Sequence, residues 1–196
     1  MAECGADATG IVRGEMANLL ADEPLLGAFF DFCAARRGAD GLLARAAVDP
    51  VEIPSAILPN LVLLDVLDGG ARFRWRLSGT GVTSRFGRDV TGRFDVEVLS
   101  GNYLAFVRAM VRHAHDARVP IYSVAIWRFR DERMLTTRRL YVPLAADAGD
   151  RRVTQIVAAH DFGPRQGLIV DPRTLLPDVR EIDELVHQEM PFFEPS

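Results

Sequence analysis

Lysine is missing from this chain: all 23 of its basic residues are arginine. Such a bias follows from gene composition, since beyond Arg72, Arg74 and Arg76 no arginine cluster stands out. Against 27 acids these leave a net charge of -4, which gives no global attraction for nucleic acid or anionic lipid. Cysteine is nearly absent. Cys4 and Cys33 cannot staple a fold, and Cys33 sits in an apolar helical pattern where a thiol acts as a small hydrophobe. Long apolar runs are lacking too, for stretches such as Leu61 to Leu67 stop far short of the ~20 residues that span a bilayer. Met1 to Gly14 holds two acids and no apolar core, so no signal peptide is expected. The scattered histidines and cysteines predict no zinc site. A cytoplasmic protein with no membrane and no nucleic-acid partner is the expectation.

What is present is ordinary globular material. A chain of 196 residues that is 48% apolar and 26% charged can build one domain with a real core. Residues 1–24 read as a tail with a short helix carrying Ile11, Met16, Leu19 and Leu20. Asp22-Glu23-Pro24 is a helix start, followed by Leu25, Leu26, Phe29, Phe32 and Cys33 at helical spacing. A short helical piece over 42–47 is expected next, then one tight turn between Pro54 and Pro59.

Leu61 to Leu67 predicts a buried strand, and Asp68-Gly69-Gly70 a tight hairpin with positive φ angles. In the strand after it, Phe73, Trp75 and Leu77 alternate with Arg72, Arg74, Arg76 and Ser78, so one face is core and the other is wet or paired with acids. Gly79, Gly81, Gly87 and Gly92 break the next segment into short helical turns. Asn102 to Asp116 is a longer helix with Tyr103, Leu104, Val107, Met110, Val111 and Ala114 on its apolar face, and Arg108 and Arg112 opposite. Three strands follow, over 120–130, 134–145 and 153–162. The first is apolar on both faces, which requires cover on both, from the short helices and from the helix around Phe29. From Gly163 onward, Asp178 and Glu181 form a capping box opening a helix with Val179, Ile182, Leu185 and Val186 on one side.

Two strands, short helices, one longer helix and three strands is the element order of a PAS domain, which this chain resembles over about residues 25–162. The carrying blocks are Asp49-Pro50, Ile53-Pro54, Leu58-Pro59, Asp65-Val66, Arg72 to Thr80, Phe86 to Arg93 and Tyr141-Val142-Pro143-Leu144. As an ordered set they are similar to a group of small bacterial PAS-family proteins. That group often has a tryptophan in the leading helix, where this chain has Phe29, Phe30 and Phe32. The resemblance implies an α+β fold: a five-stranded antiparallel sheet with short helices and one longer helix on one face, an N-terminal helix and a C-terminal helical tail. It implies domain limits of 1–24, 25–162 and 163–196. It carries over no catalytic residue.

A PAS cradle can hold haem, flavin or a metabolite, or be filled by its own side chains. The flavin photosensor type needs a cysteine in the helical cradle, whereas both cysteines here precede the first strand. Some PAS domains ligate haem iron through a histidine on the long helix, where this chain has His113 and His115, but both fall on the flanks of the helix face and histidine is only one possible axial ligand. The cofactor is left unassigned. Trp75, Tyr103, Met110, Trp127 and Tyr141 are the candidate pocket walls, being bulky and partly polar. His160 and Asp161 are neighbours on one strand and point to opposite faces, so they form no dyad. Ser78-Gly79-Thr80-Gly81 lacks the lysine of a phosphate loop, and no serine sits in a nucleophile elbow. The expected function is a stand-alone, non-enzymatic sensory module that binds a small molecule or a protein partner, as a homodimer. The alternative is a small cone-like α+β enzyme with a buried Asp or His as general base, which requires a polar group of shifted pKa in the cavity.

Overall fold

The computed structural model of the chain describes residues 20–39, 41–129, 134–163 and 179–192. The helix expected around Ile11 to Leu20 and the turn at Asp131-Glu132 lie outside them, Leu20 excepted. Helix α1 (Pro24–Ala34) leads into a two-residue strand β1 (Leu43–Ala44) and a 3-10 turn, where a short helical piece was expected. Strands β2 (Leu61–Leu67) and β3 (Arg72–Ser78) follow, then helices α2 (Thr80–Phe86), α3 (Asp95–Val98) and α4 (Gly101–Ala117). Strands β4 (Ile121–Phe129), β5 (Met134–Ala145), β6 (Val153–Asp161) and β7 (Val179–Glu189) complete the chain. Together they form one seven-stranded sheet in the order β3-β2-β6-β5-β4-β7, antiparallel throughout except that β1 runs parallel beside β5.

Alternation divides the core into two layers. Even-numbered Val62, Leu64, Ile156 and Ala158, with odd-numbered Phe73, Trp75, Ile121, Ala125, Trp127 and Tyr141, pack under α2, α3 and α4. Leu61, Leu63, Tyr122, Leu140, Val142, Leu144 and Val157 face the other way onto Leu26, Phe29, Phe32 and Cys33 of α1. The helix around Phe29 thus covers the second face, as the two-sided strand required. An ion pair between Arg138 and Glu23, just before α1, ties that helix to the sheet.

Asp68, Gly69 and Gly70 all take positive φ, as the hairpin between β2 and β3 demands. Arg74 reaches across to Asp65 at 2.7 Å. Leu77 departs from the expected alternation and is 45% exposed. The register of β2 and β3 shifts between Leu63 and Leu64, leaving Arg76 as an extra residue, and such a bulge turns the side chains beyond it to the other face. Gly79 and Gly81 are required by close approach. A Cβ on Gly79 would lie 2.4 Å from the Pro59 carbonyl oxygen, and one on Gly81 2.3 Å from Asn60 Oδ1. The Leu58-Pro59-Asn60 turn therefore packs directly on the Gly79-Thr80-Gly81 entry to α2.

Arg108, expected on the solvent side of α4, instead meets Asp95 of α3 at 2.7 Å, and Asp95 is fully buried. The C-terminal segment is corrected more deeply. Residues 179–189 form a strand paired with β4, not a capped helix, and they belong to the sheet rather than to a separate extension. The five expected strands become seven. The apolar spacing of Val179, Ile182, Leu185 and Val186 does fit a helix, but β4 offers a free ladder of backbone donors and acceptors that an added strand satisfies.

Candidate functional site

A half-open hollow of about 60 Å³ lies on the helical face of the sheet. Its apolar wall is Trp75, Val82, Phe86, Leu135 and Phe162; Tyr103, Trp127, Arg85, Thr137 and His160 supply the polar groups. Of the five candidates read from the sequence, Trp75, Tyr103 and Trp127 line it. Met110 and Tyr141 are buried in the same core layer without lining it. The sequence reading missed Arg85, Thr137 and His160. Period two on β5 carries the missing signal, because Leu135, Thr137 and Arg139 share the face of Tyr141.

Each element fixes its part of the wall. Trp75 of β3 meets Phe86 of α2 edge-on, ring centroids 5.3 Å apart. Tyr103, in the first turn of α4, stands edge-on to Trp127 of β4 at 4.2 Å. His160 of β6 stacks on Phe162 at 5.4 Å, and the Arg85 guanidinium covers that ring at 4.0 Å. Thr137 donates its hydroxyl proton to the Ala125 carbonyl at 3.3 Å.

Electrostatics here are set by burial. Desolvation drives the His160 pKa down to about 3, helped by the nearby Arg139 charge, so the ring is neutral. Its Nδ1 lies 3.2 Å from the Asn60 carbonyl oxygen, which makes Nδ1 the protonated nitrogen and leaves Nε2 as an acceptor. Burial also pushes the Tyr103 and Tyr141 hydroxyls up, against the opposing pull of Arg139. Cys33 is remote, on α1 under the opposite face, with its thiol pushed up to about 12 by burial and thus unreactive.

These residues do not fit the prosthetic groups of the fold. No cysteine or carboxylate is among the lining residues. A cavity of roughly 150 Å³ accommodates benzene, so in this conformation the hollow is far too small for a flavin or a haem. His113 is engaged with His187 at 2.5 Å and Glu189 at 2.7 Å, and His115 with Asp116 at 2.7 Å, all away from the hollow. Among the described residues no cluster of three or more ligating side chains could hold a metal ion, and no helix is long and apolar enough to cross a membrane.

The profile of the PAS domain family matches residues 22–157, well over half of the chain. The chain belongs to the PAS domain family. No curated protein sequence matches it. Solved structures similar to this PAS domain include the VqmA dimer of Vibrio cholerae in the absence of its target DNA, at 14% identity and a TM-score of 0.43 over 55% of this chain. The chain spans 47% of VqmA. Another is the light-oxygen-voltage protein of Rhodobacter sphaeroides, at 14% identity and a TM-score of 0.40, covering 70% of this chain and 68% of that one. The light state of the Aureochrome1 domain gives 15% identity and a TM-score of 0.39, over 60% of this chain and 91% of its own.

Proposed function

We propose that this PAS domain is a sensory module that takes up a small molecule in the hollow between its sheet and α2, and signals through a protein partner or a second copy of itself. The observation that carries the reading is the make-up of the hollow's wall, where the apolar side chains of Trp75, Val82, Phe86, Leu135 and Phe162 meet a few polar groups from Tyr103, Arg85, Thr137 and His160, the pattern of a small-molecule site.

Binding is favoured over catalysis by the state of His160. The enzyme alternative requires a polar group of shifted pKa in the hollow, and His160 is one. However, a base whose conjugate acid has a pKa of about 3 takes up protons poorly near neutrality, where a general base is best matched.

The test is thermal denaturation of the wild type and of Val82→Trp, which fills the hollow, against a panel of small molecules. A ligand at a hundredfold excess over its Kd stabilises by about 2.7 kcal/mol. Compounds should raise the Tm of the wild type and leave the filled variant unmoved. Equal responses from the two proteins, or none from either, would reject the reading.

A further inference from the structure

Helix α4 and strand β7 are joined by a continuous chain of four titratable side chains. His113 of α4 places Nε2 2.7 Å from Glu189 Oε1 and Nδ1 2.5 Å from His187 Nε2. His187 in turn sets Nδ1 3.1 Å from Glu184 Oε1. Strand parity alone would not gather these groups, since Glu184 and His187 lie three residues apart. The register with β4 skips Leu185, so Glu184 stands opposite Ala125, His187 opposite Ser123 and Glu189 opposite Ile121. Those three β4 residues share one face, and the bulge therefore brings both carboxylates and the His187 ring to the helical side.

The chain fixes its own proton count. Each of its three contacts needs one hydrogen, and a carboxylate accepts without donating. His113 Nε2 and His187 Nδ1 must then both carry a proton, and one more must lie between the rings. Two neutral imidazoles hold only two hydrogens. All three contacts are therefore made only when the pair carries a single extra proton. Without it, one contact sets lone pair against lone pair. With a second, N–H meets N–H across 2.5 Å between two cations.

The other charged groups around the pair are turned elsewhere or engaged. On α4, Asp116 lies one turn on and meets His115 Nδ1 at 2.7 Å, while Arg112 is exposed. On β7, Asp183 is bound to Arg128 at 2.7 Å. Strand β4 presents the neutral Ser123 opposite His187, and beyond it on β5 Arg139 lies against Trp127 and Phe106. We infer that His113 and His187 form a one-proton clasp fastening β7 to α4, closed when the pair is singly protonated and loosened by loss of that proton or gain of a second. Burial and the charge of His113 hold the His187 pKa below its ordinary value, although Glu184 and Glu189 pull it up. In the closed form His113 is accordingly the imidazolium, and His187 the neutral ring with its proton on Nδ1.

The response to pH has two limbs. As the pH falls below 6.5, the unfolded chain accepts a proton at His187 that the folded pair refuses, so the clasp weakens. As the pH rises, the shared proton leaves and one contact is lost. The experiment is an NMR titration of the isotope-labelled full-length protein, in which ring nitrogen shifts report protonation and tautomer for each histidine. The two rings should respond together, in two steps separated by at least about one pH unit. In His113→Gln the neighbouring cation is gone, so the His187 midpoint should rise by at least about half a pH unit and become a single step. Hydrogen exchange across β7, corrected for intrinsic rates, should show protection that peaks where the singly protonated form dominates. The double variant His113→Gln/His187→Gln should lose that peak.

Histidines that titrate independently, each in one step of its own, overturn the shared proton. Two neutral rings at the pH of greatest β7 protection do the same, as does an unmoved His187 midpoint in His113→Gln. Protection of β7 that follows pH alike in the wild type and the double variant overturns the clasp. The wild-type titration decides the matter even if the variants do not fold.

Discussion

Gly79 and Pro59 approach so closely that a single methyl group on the glycine would stand 2.4 Å from the proline carbonyl oxygen. Gly79 has an unexceptional φ of -64°, so the requirement is for space and not for backbone freedom. Gly79→Ala must therefore displace either the turn before β2 or the start of α2. Overpacking of this sort costs about 1–3 kcal/mol. Chemical denaturation should show that loss, and a variant as stable as the wild type would mean the two segments part easily.

The Asp95–Arg108 pair joins α3 to α4 with a carboxylate that has no exposure. Removing the arginine strands a buried charge, which typically costs about 3–5 kcal/mol, less here because Arg108 itself is one-third exposed. Arg108→Met should thus be clearly destabilised, and adding Asp95→Asn should recover part of the loss. A double variant no better than the single one would show that the pair is not what links the helices.

His160 makes stability sensitive to acid. Its pKa is about 3 in the fold against 6.5 for the free side chain, so the unfolded chain binds a proton that the folded chain refuses. The contribution is whole above pH 6.5 and is lost at about 1.4 kcal/mol per pH unit as the pH falls towards 3. Between pH 7 and pH 4.5 the wild type should lose about 3 kcal/mol more than His160→Gln, which keeps a donor for the Asn60 carbonyl. Denaturant titrations at the two pH values measure the difference, and parallel losses would deny the histidine this role.

Among the described residues strand β7 borders the sheet, with one of its two backbone edges paired to β4. Hydrogen exchange resolved by residue should then find alternate amides protected within 181–184 and within 186–189, the alternation breaking at Arg180 and Leu185 where the register with β4 shifts. A helix would protect nearly every amide after its first turn. Continuous protection would restore the helical reading of this segment.

Much of the fold could be read directly. Strands 134–145 and 153–161 match the sequence reading almost to the residue, because apolar alternation and the Asp147 to Asp150 turn act together there. The apolar face of α4 was legible for the same local reason. Leu77 was misread because one bulged residue reverses parity, and nothing in the strand itself announces a bulge. The fate of 179–189 depended on an open ladder on β4, which is a property of the assembled sheet. Arg139 was overlooked because adjacent arginines at 138 and 139 look like solvent groups. Only the covering helix shows that one meets Glu23 while the other is enclosed with Trp127.

The composition of β7 bears on how copies of the molecule can meet. Its sequence carries Glu181, Asp183, Glu184 and Glu189 against Arg180 and the one histidine His187. Two molecules docking border to border would set these acids side by side, and like charges directly across strands repel. Fibre-like growth along this side is thereby opposed, and self-association is steered towards the broad surfaces and the helices.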